Sequence, residues 1–231
     1  MFGESYFKEL FRKPATKPGG PLQPGDILIK HVTMSGIGIG ILAGQALGSA
    51  GMDARWVHAG IATSHDMIAE MDGHGLQHNC LATTDREFKY RVFRTAHRNV
   101  AIGACETAKM LLGFHANAKG RLTYSLAGAA KSITLTTNKV SNTDRINKIL
   151  DALLSGRDVS LFCSELVVLC YLVALEQSSL LPRKQGASLP AMSQFFAYEP
   201  KEYSPAYLHE MLCDGKSLFS YVGDYQGMKW L

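Results

Sequence analysis

The chain has 231 residues, 46% of them hydrophobic and 19% charged, which excludes a disordered polymer and leaves enough length to bury a core without disulfides or metals. A formal charge of +4 is too small for a dedicated nucleic-acid binder. Five cysteines, an odd number without repeated short spacing, do not make a disulfide framework and point to folding in a reducing compartment.

Residues 1–21 open with MFGESYFKELFRKP, an amphipathic helical pattern ended by Pro14, followed by a Pro/Gly-rich linker. Charges interrupt the aromatics there, so no secretory signal core forms, and any export would use a route that reads no such signal. Residues 22–231 are expected to form a single domain. Its first strand is Ile27-Leu28-Ile29. Met34–Met52 then runs for 19 residues without a charge, close to a bilayer span, but six glycines argue for a buried or surface-docked insertion. Gly36-Ile37-Gly38 lacks the Lys-Ser/Thr of a phosphate loop.

Three β-like runs follow, Trp56–Ala62, Met67–Met71 and Tyr90–Arg94, separated by turn-forming residues as in an antiparallel meander. From Asn99 the apolar spacing becomes helical, with Ala101, Ala104, Cys105, Ala108, Leu111 and Leu112 on one face. A second helix is expected over Asn142–Leu154, and the most apolar one starts near Cys163 and ends before Ser178-Ser179. Pro190 and Pro205 read as first-turn residues of short helices, and a closing strand is expected at Leu218–Val222. The sum is α+β: a small antiparallel sheet packed with helices.

Cys163 begins the apolar helix, where unpaired backbone N–H groups and the helix dipole favour an anion. An ordinary thiol of pKa about 8.5 is only a few per cent thiolate at neutral pH, and such a site raises that fraction. The competing reading is a buried structural cysteine. A thiol nucleophile needs a base and a group that orients it. His58, inside an apolar strand, and Glu70, inside the next, are the candidates, although a core histidine and an edge-strand acid would also explain them.

Strand parity sharpens the pairing. A three-residue loop at Thr63-Ser64-His65 puts His58 directly opposite Glu70 on one face, whereas a two-residue loop sends Glu70 to the other face. His74, His78 and Cys80 supply three possible ligands within seven residues, but zinc needs a fourth ligand or an open water position, so no metal is assigned. No partner can be named for His31, His97, His115 or His209.

In order along the chain, Leu22-Gln23-Pro24-Gly25-Asp26-Ile27-Leu28, His58-Ala59-Gly60-Ile61, Ile68-Ala69-Glu70, Tyr90–Arg94 and Phe162-Cys163-Ser164-Glu165-Leu166-Val167 resemble the circularly permuted, YiiX-like branch of NlpC-type cysteine hydrolases. The resemblance covers roughly Pro24 to Pro190. It implies a papain-like core, Cys163 as nucleophile, His58 as base, Glu70 as the orienting residue, and Tyr124 and Ser164 near the substrate or oxyanion. Tyr124 is followed by Ser125 where the family often has Asp.

The implied activity is amide hydrolysis, with peptidoglycan stem peptides as substrate and no cofactor. An exported antibacterial effector with an immunity or secretion-apparatus partner is one setting for such an enzyme. A lipid-directed acyltransferase or phospholipase like the lecithin retinol acyltransferase group, a protein-directed protease or deamidase, and a catalytically dead binding module are the alternatives. No nucleic-acid partner and no stable membrane span are expected.

Overall fold

Short apolar runs, buried on both faces, make Ile27–His31 (β1), Trp56–Ala62 (β2), Met67–Asp72 (β3) and Tyr90–Thr95 (β5) strands of one curled antiparallel sheet. The computed structural model describes residues 21–31, 55–117, 122–125, 144–180 and 192–231. Gly75–Cys80 (β4), Phe219–Gln226 (β8) and Lys229–Trp230 (β9) complete the sheet, in the order β4-β3-β2-β1-β5-β8-β9. Leu122–Tyr124 (β6) and Val159–Leu161 (β7) pair separately and in parallel.

Helix Arg98–Asn117 (α1) buries Ala101, Ala104, Cys105, Ala108 and Leu111 of the expected stripe, together with Val100, while Leu112 is half-buried. Asp144–Leu154 (α2) is shorter, and Cys163–Leu180 (α3) runs past the expected serine breakers. From Cys163 through Leu175 every α3 residue is buried, so this helix is the hydrophobic axle of the domain. Met192–Phe195 (α4) and Pro205–Cys213 (α5) follow. Pro205 stands in the first turn of α5, and Ser204 caps it by accepting the Tyr207 N–H at 3.2 Å.

The sheet has two unlike faces. Ile27, Ile29, Ala59, Ile61, Ala69, Met71 and Phe93 join the α1 and α3 side chains in the main core. Leu28, Ala62, Ile68, Tyr90, Val92 and Tyr225 make a second, smaller cluster. Strand parity assigns His58, Gly60 and Glu70 to the face of Leu28 and Ala62.

One element departs from expectation. Gly75–Cys80, whose polar residues read as a Gly-containing loop, is a strand, and among the described residues no His, Cys, Asp and Glu cluster is suited to a metal ion. Gly73 and His74 make the hairpin turn between the paired Asp72 and Gly75, with Gly75 at φ +101°, and turn glycines look the same in sequence as a flexible loop. The closing strand expected at Leu218–Val222 is present as β8, longer at its end, and joins the main sheet beside β5. The expected N-terminal helix and the Met34–Met52 insertion lie outside the described residues. No described helix is long and apolar enough to cross a membrane.

The entry to β1 is held from three sides. Gly25 donates its N–H to the Ala62 carbonyl at 2.8 Å, and its own carbonyl accepts the Tyr171 hydroxyl. Asp26 takes two bonds from Arg94, at 2.7 and 2.6 Å. Gly25 has φ +89°, and a Cβ there would come within 2.2 Å of the Ala101 carbonyl oxygen of α1. Gly25→Ala is therefore expected to cost at least about 2 kcal/mol, from backbone strain plus overpacking. Urea unfolding followed by circular dichroism measures it.

Candidate active site

The hairpin between β2 and β3 sets the geometry of His58 and Glu70. Ala62 pairs with Ile68 and Gly60 with Glu70, while the Thr63 N–H bonds the Met67 carbonyl at 2.9 Å. The loop is thus Ser64-His65-Asp66, one residue later than the sequence suggested. Its length is still three, so parity holds and both side chains share a face. His58 is not directly opposite Glu70 but diagonal to it, across Gly60. Gly60 presents no side chain between them, and a Cβ at that position would come within 2.5 Å of Ile68 Cδ1. His58 reaches over the gap, and its Nε2 lies 2.8 Å from Glu70 Oε2. A register slip in β1–β2, between Lys30 and His31, lies beside His58, and irregularities of this kind re-aim side chains at sheet edges.

Cys163 arrives from the other side. The Leu166 N–H bonds the Phe162 carbonyl at 3.0 Å, so Phe162 opens α3 and the first N–H groups that follow have no partner within the helix. The Ser164 N–H turns to the Cys163 sulfur. A second N–H, from Ala59, also reaches it. Strand geometry explains that contact. The Ala62 N–H points to β1, where it bonds the Asp26 carbonyl at 2.9 Å, so alternation aims the Ala59 N–H toward β3. The β2–β3 pairing ends at Gly60, which leaves this N–H open to the thiol.

The thiol also meets the His58 ring. With Nε2 committed to Glu70, Nδ1 is the nitrogen that serves Cys163. Burial opposes charge on all three groups, but their mutual attraction prevails. His58 is raised to about 10, held by the Cys163 sulfur and the Glu70 carboxylate. Glu70, which desolvation alone would raise, is instead held at about 2, chiefly by His58. The Cys163 thiol falls below its ordinary value because His58 and the two backbone N–H groups outweigh its burial. These shifts all favour the thiolate–imidazolium form over the neutral pair.

Tyr124 reaches the same place by a different route. Parallel pairing of β6 with β7 sets Tyr124 beside Leu161, two residues before Cys163. Its hydroxyl bonds the Cys163 sulfur, and burial together with that neighbour raises its pKa. Ser164 divides its roles. Its hydroxyl donates to the Tyr203 carbonyl and is fully buried, so only its backbone N–H faces the nucleophile.

Three neighbours of Glu70 escaped the sequence reading. Asn79 donates its side-chain amide to Glu70 Oε1 at 2.6 Å, from β4. Asp85 lies against the same carboxylate, and Lys30 lies nearby. Alternation along Gly75–Cys80 would have put Asn79 on the Glu70 face, had that segment been read as a strand. The other histidines do not join the site. His209 stacks on Trp56 with ring centroids 4.1 Å apart, and His115 Nδ1 accepts the Leu122 N–H at 3.2 Å.

A thiolate fraction persists to lower pH when the thiol pKa is depressed, and it is lost as pH falls through that depressed value. Cys163 is therefore expected to react with iodoacetamide near pH 6.5 faster than Cys105 or Cys170, whose thiols burial pushes up. Peptide mapping by mass spectrometry after brief labelling of the folded chain checks this. No protein-family model, no curated protein and no solved structure matches this chain.

Proposed function

We propose that the chain is a cysteine hydrolase acting on amide bonds, with Cys163 as nucleophile, His58 as acid–base and Glu70 as the residue that orients the ring. The single observation that carries this reading is a buried Cys–His–Glu relay whose cysteine stands at a helix N-terminus. A relay of nucleophile, base and orienting acceptor is the general requirement of covalent acyl transfer. The chain order, histidine strand before cysteine helix, agrees with the resemblance to the permuted, papain-like NlpC-type hydrolases, and the α+β sheet with packed helices is compatible with such a core.

The chemistry follows from the positions. Thiolate attack on an amide carbonyl forms the C–S bond, and the carbonyl electron pair moves onto oxygen. The Ala59 and Ser164 N–H groups and the Tyr124 hydroxyl cluster at the sulfur, within reach of an oxyanion formed there. His58 then gives its proton to the departing amine, the C–N bond breaks, and His58 accepts a proton from the water that cleaves the thioester. Glu70 stabilises the imidazolium throughout and stops the ring from turning.

For substrate, the resemblance favours peptidoglycan stem peptides. Incubation with purified peptidoglycan and with phospholipid vesicles, analysed by mass spectrometry, tests this choice. Release of stem-peptide fragments supports it, and release of fatty acids or transfer of an acyl chain replaces it with the lipid-directed reading. Cys163→Ala is expected to abolish turnover with an unchanged circular dichroism spectrum and melting temperature. Full activity in that variant would remove the hydrolase reading altogether. Glu70→Gln keeps size and an acceptor but loses the charge, so the rate should fall about ten- to a thousand-fold, with Glu70→Ala falling further.

A further inference from the structure

The carboxylate that orients His58 is itself held by an acid. Asp85 sits between β4 and β5 with 3% of its surface exposed, and its N–H is fixed by the Cys80 carbonyl at 3.2 Å. Its carboxyl group lies against that of Glu70. Two carboxylates in contact away from water resist ionising together, so one of them keeps its proton to a higher pH.

The surrounding groups indicate which one. Glu70 faces two other donors, the His58 ring at 2.8 Å and the Asn79 amide at 2.6 Å. Asp85 faces Lys30, whose Nζ is 3.9 Å from Oδ1, beyond hydrogen-bond range. That ammonium rests over the Phe88 ring, 3.0 Å from its centroid, and burial lowers its pKa. Asp85 Oδ2 and the Tyr90 hydroxyl are both buried without a well-formed hydrogen bond among the described residues. The charged and titratable groups facing the two acids are thus His58 from β2, Lys30 from β1 and Tyr90 from β5, while Asp72 of β3 and Cys163 of α3 act on Lys30 at longer range.

We propose that Asp85 is a positioning residue: as a carboxylic acid it donates a hydrogen bond to Glu70 and, with Asn79, holds that carboxylate in line with the His58 ring. The inference rests on reading Cys163, His58 and Glu70 as a working site, and it adds a fourth member that makes the site sensitive to pH.

Burial and the Glu70 charge raise Asp85 to about 7, while Glu70 stays ionised down to about 2. Below neutrality Asp85 carries the shared proton. As pH rises through its pKa it loses that proton, stops donating, and places a second negative charge near His58. His58 is held protonated to about 10, so it does not itself titrate in this window. Its ring therefore reports the titration of Asp85 as a bystander.

Nitrogen-15 NMR of the histidine-labelled full chain, between about pH 5.5 and 8.5, reads this directly. In the wild type the His58 ring nitrogens should shift in one step near neutrality while both stay protonated. Asp85→Asn keeps an N–H donor for Glu70, so it should lose the step yet label Cys163 with iodoacetamide at the wild-type rate. Asp85→Ala removes the donor and should slow Cys163 alkylation at pH 6 by about ten-fold, the scale seen when residues that orient a working ligand are lost.

A wild type without the step, a step that survives in Asp85→Asn, or unchanged alkylation in a folded Asp85→Ala overturns the proposal. Should Asp85→Ala unfold, the comparison of wild type with Asp85→Asn decides it. Slow labelling of wild-type Cys163 would instead count against the hydrolase reading. Rapid labelling without the step removes the role of Asp85 alone.

Discussion

Everything at the site depends on keeping one buried carboxylate ionised. Glu70 retains only 3% side-chain exposure, and an unpaired charge at that depth would take up a proton rather than remain. It stays charged because the His58 ring and the Asn79 amide donate to it from strands on either side. The same constraint works outward along the relay. An ionised Glu70 raises His58, a protonated His58 lowers Cys163, and the thiolate in turn reinforces the imidazolium. Removing the Glu70 or the His58 charge leaves its partner buried without that compensation, which is why such pairs are costly to break.

Backbone geometry supplies what the side chains do not. A strand that lost its neighbour would normally leave open N–H groups to water. Here β3 leaves β2 after Gly60, and the freed Ala59 N–H is taken up by Cys163. The start of α3 contributes the Ser164 N–H to the same sulfur. Two orphan donors, one from a strand edge and one from a helix end, thus converge on one atom. Neither costs any side-chain entropy, and both are fixed by the packing of α3 along the sheet.

The segment after Pro200 secures this convergence from outside. Tyr203 accepts the Ser164 hydroxyl on its carbonyl, which ties the first turn of α3 to the chain that leads into α5. His209 of α5 stacks on Trp56 at the start of β2. The strand that carries His58 and the helix that carries Cys163 are therefore braced by one element, and β8 anchors that element to β5. A tail with no obvious role in sequence is part of what keeps the nucleophile and base in register.

Local chemistry was legible in the sequence: the α+β class, a cysteine at the start of an apolar helix, a histidine and a glutamate inside successive apolar runs. These follow from periodicity and from the cost of burying polar groups, which act within a few residues. The condition on parity was legible, since a three-residue loop puts His58 and Glu70 on one face and a two-residue loop does not, but only the folded hairpin decided between them. The diagonal approach of the two side chains over Gly60 was not legible, since it turns on where the three-residue loop starts. Asn79 and Asp85 were hidden for a related reason. Gly75–Cys80 carries polar residues that a loop would also carry, and only its pairing with β3 makes it a strand. Contacts between distant residues depend on register, and a change of one residue in register moves a side chain by a full strand step. That quantity is decided by the whole folded sheet, and no local pattern of residues encodes it.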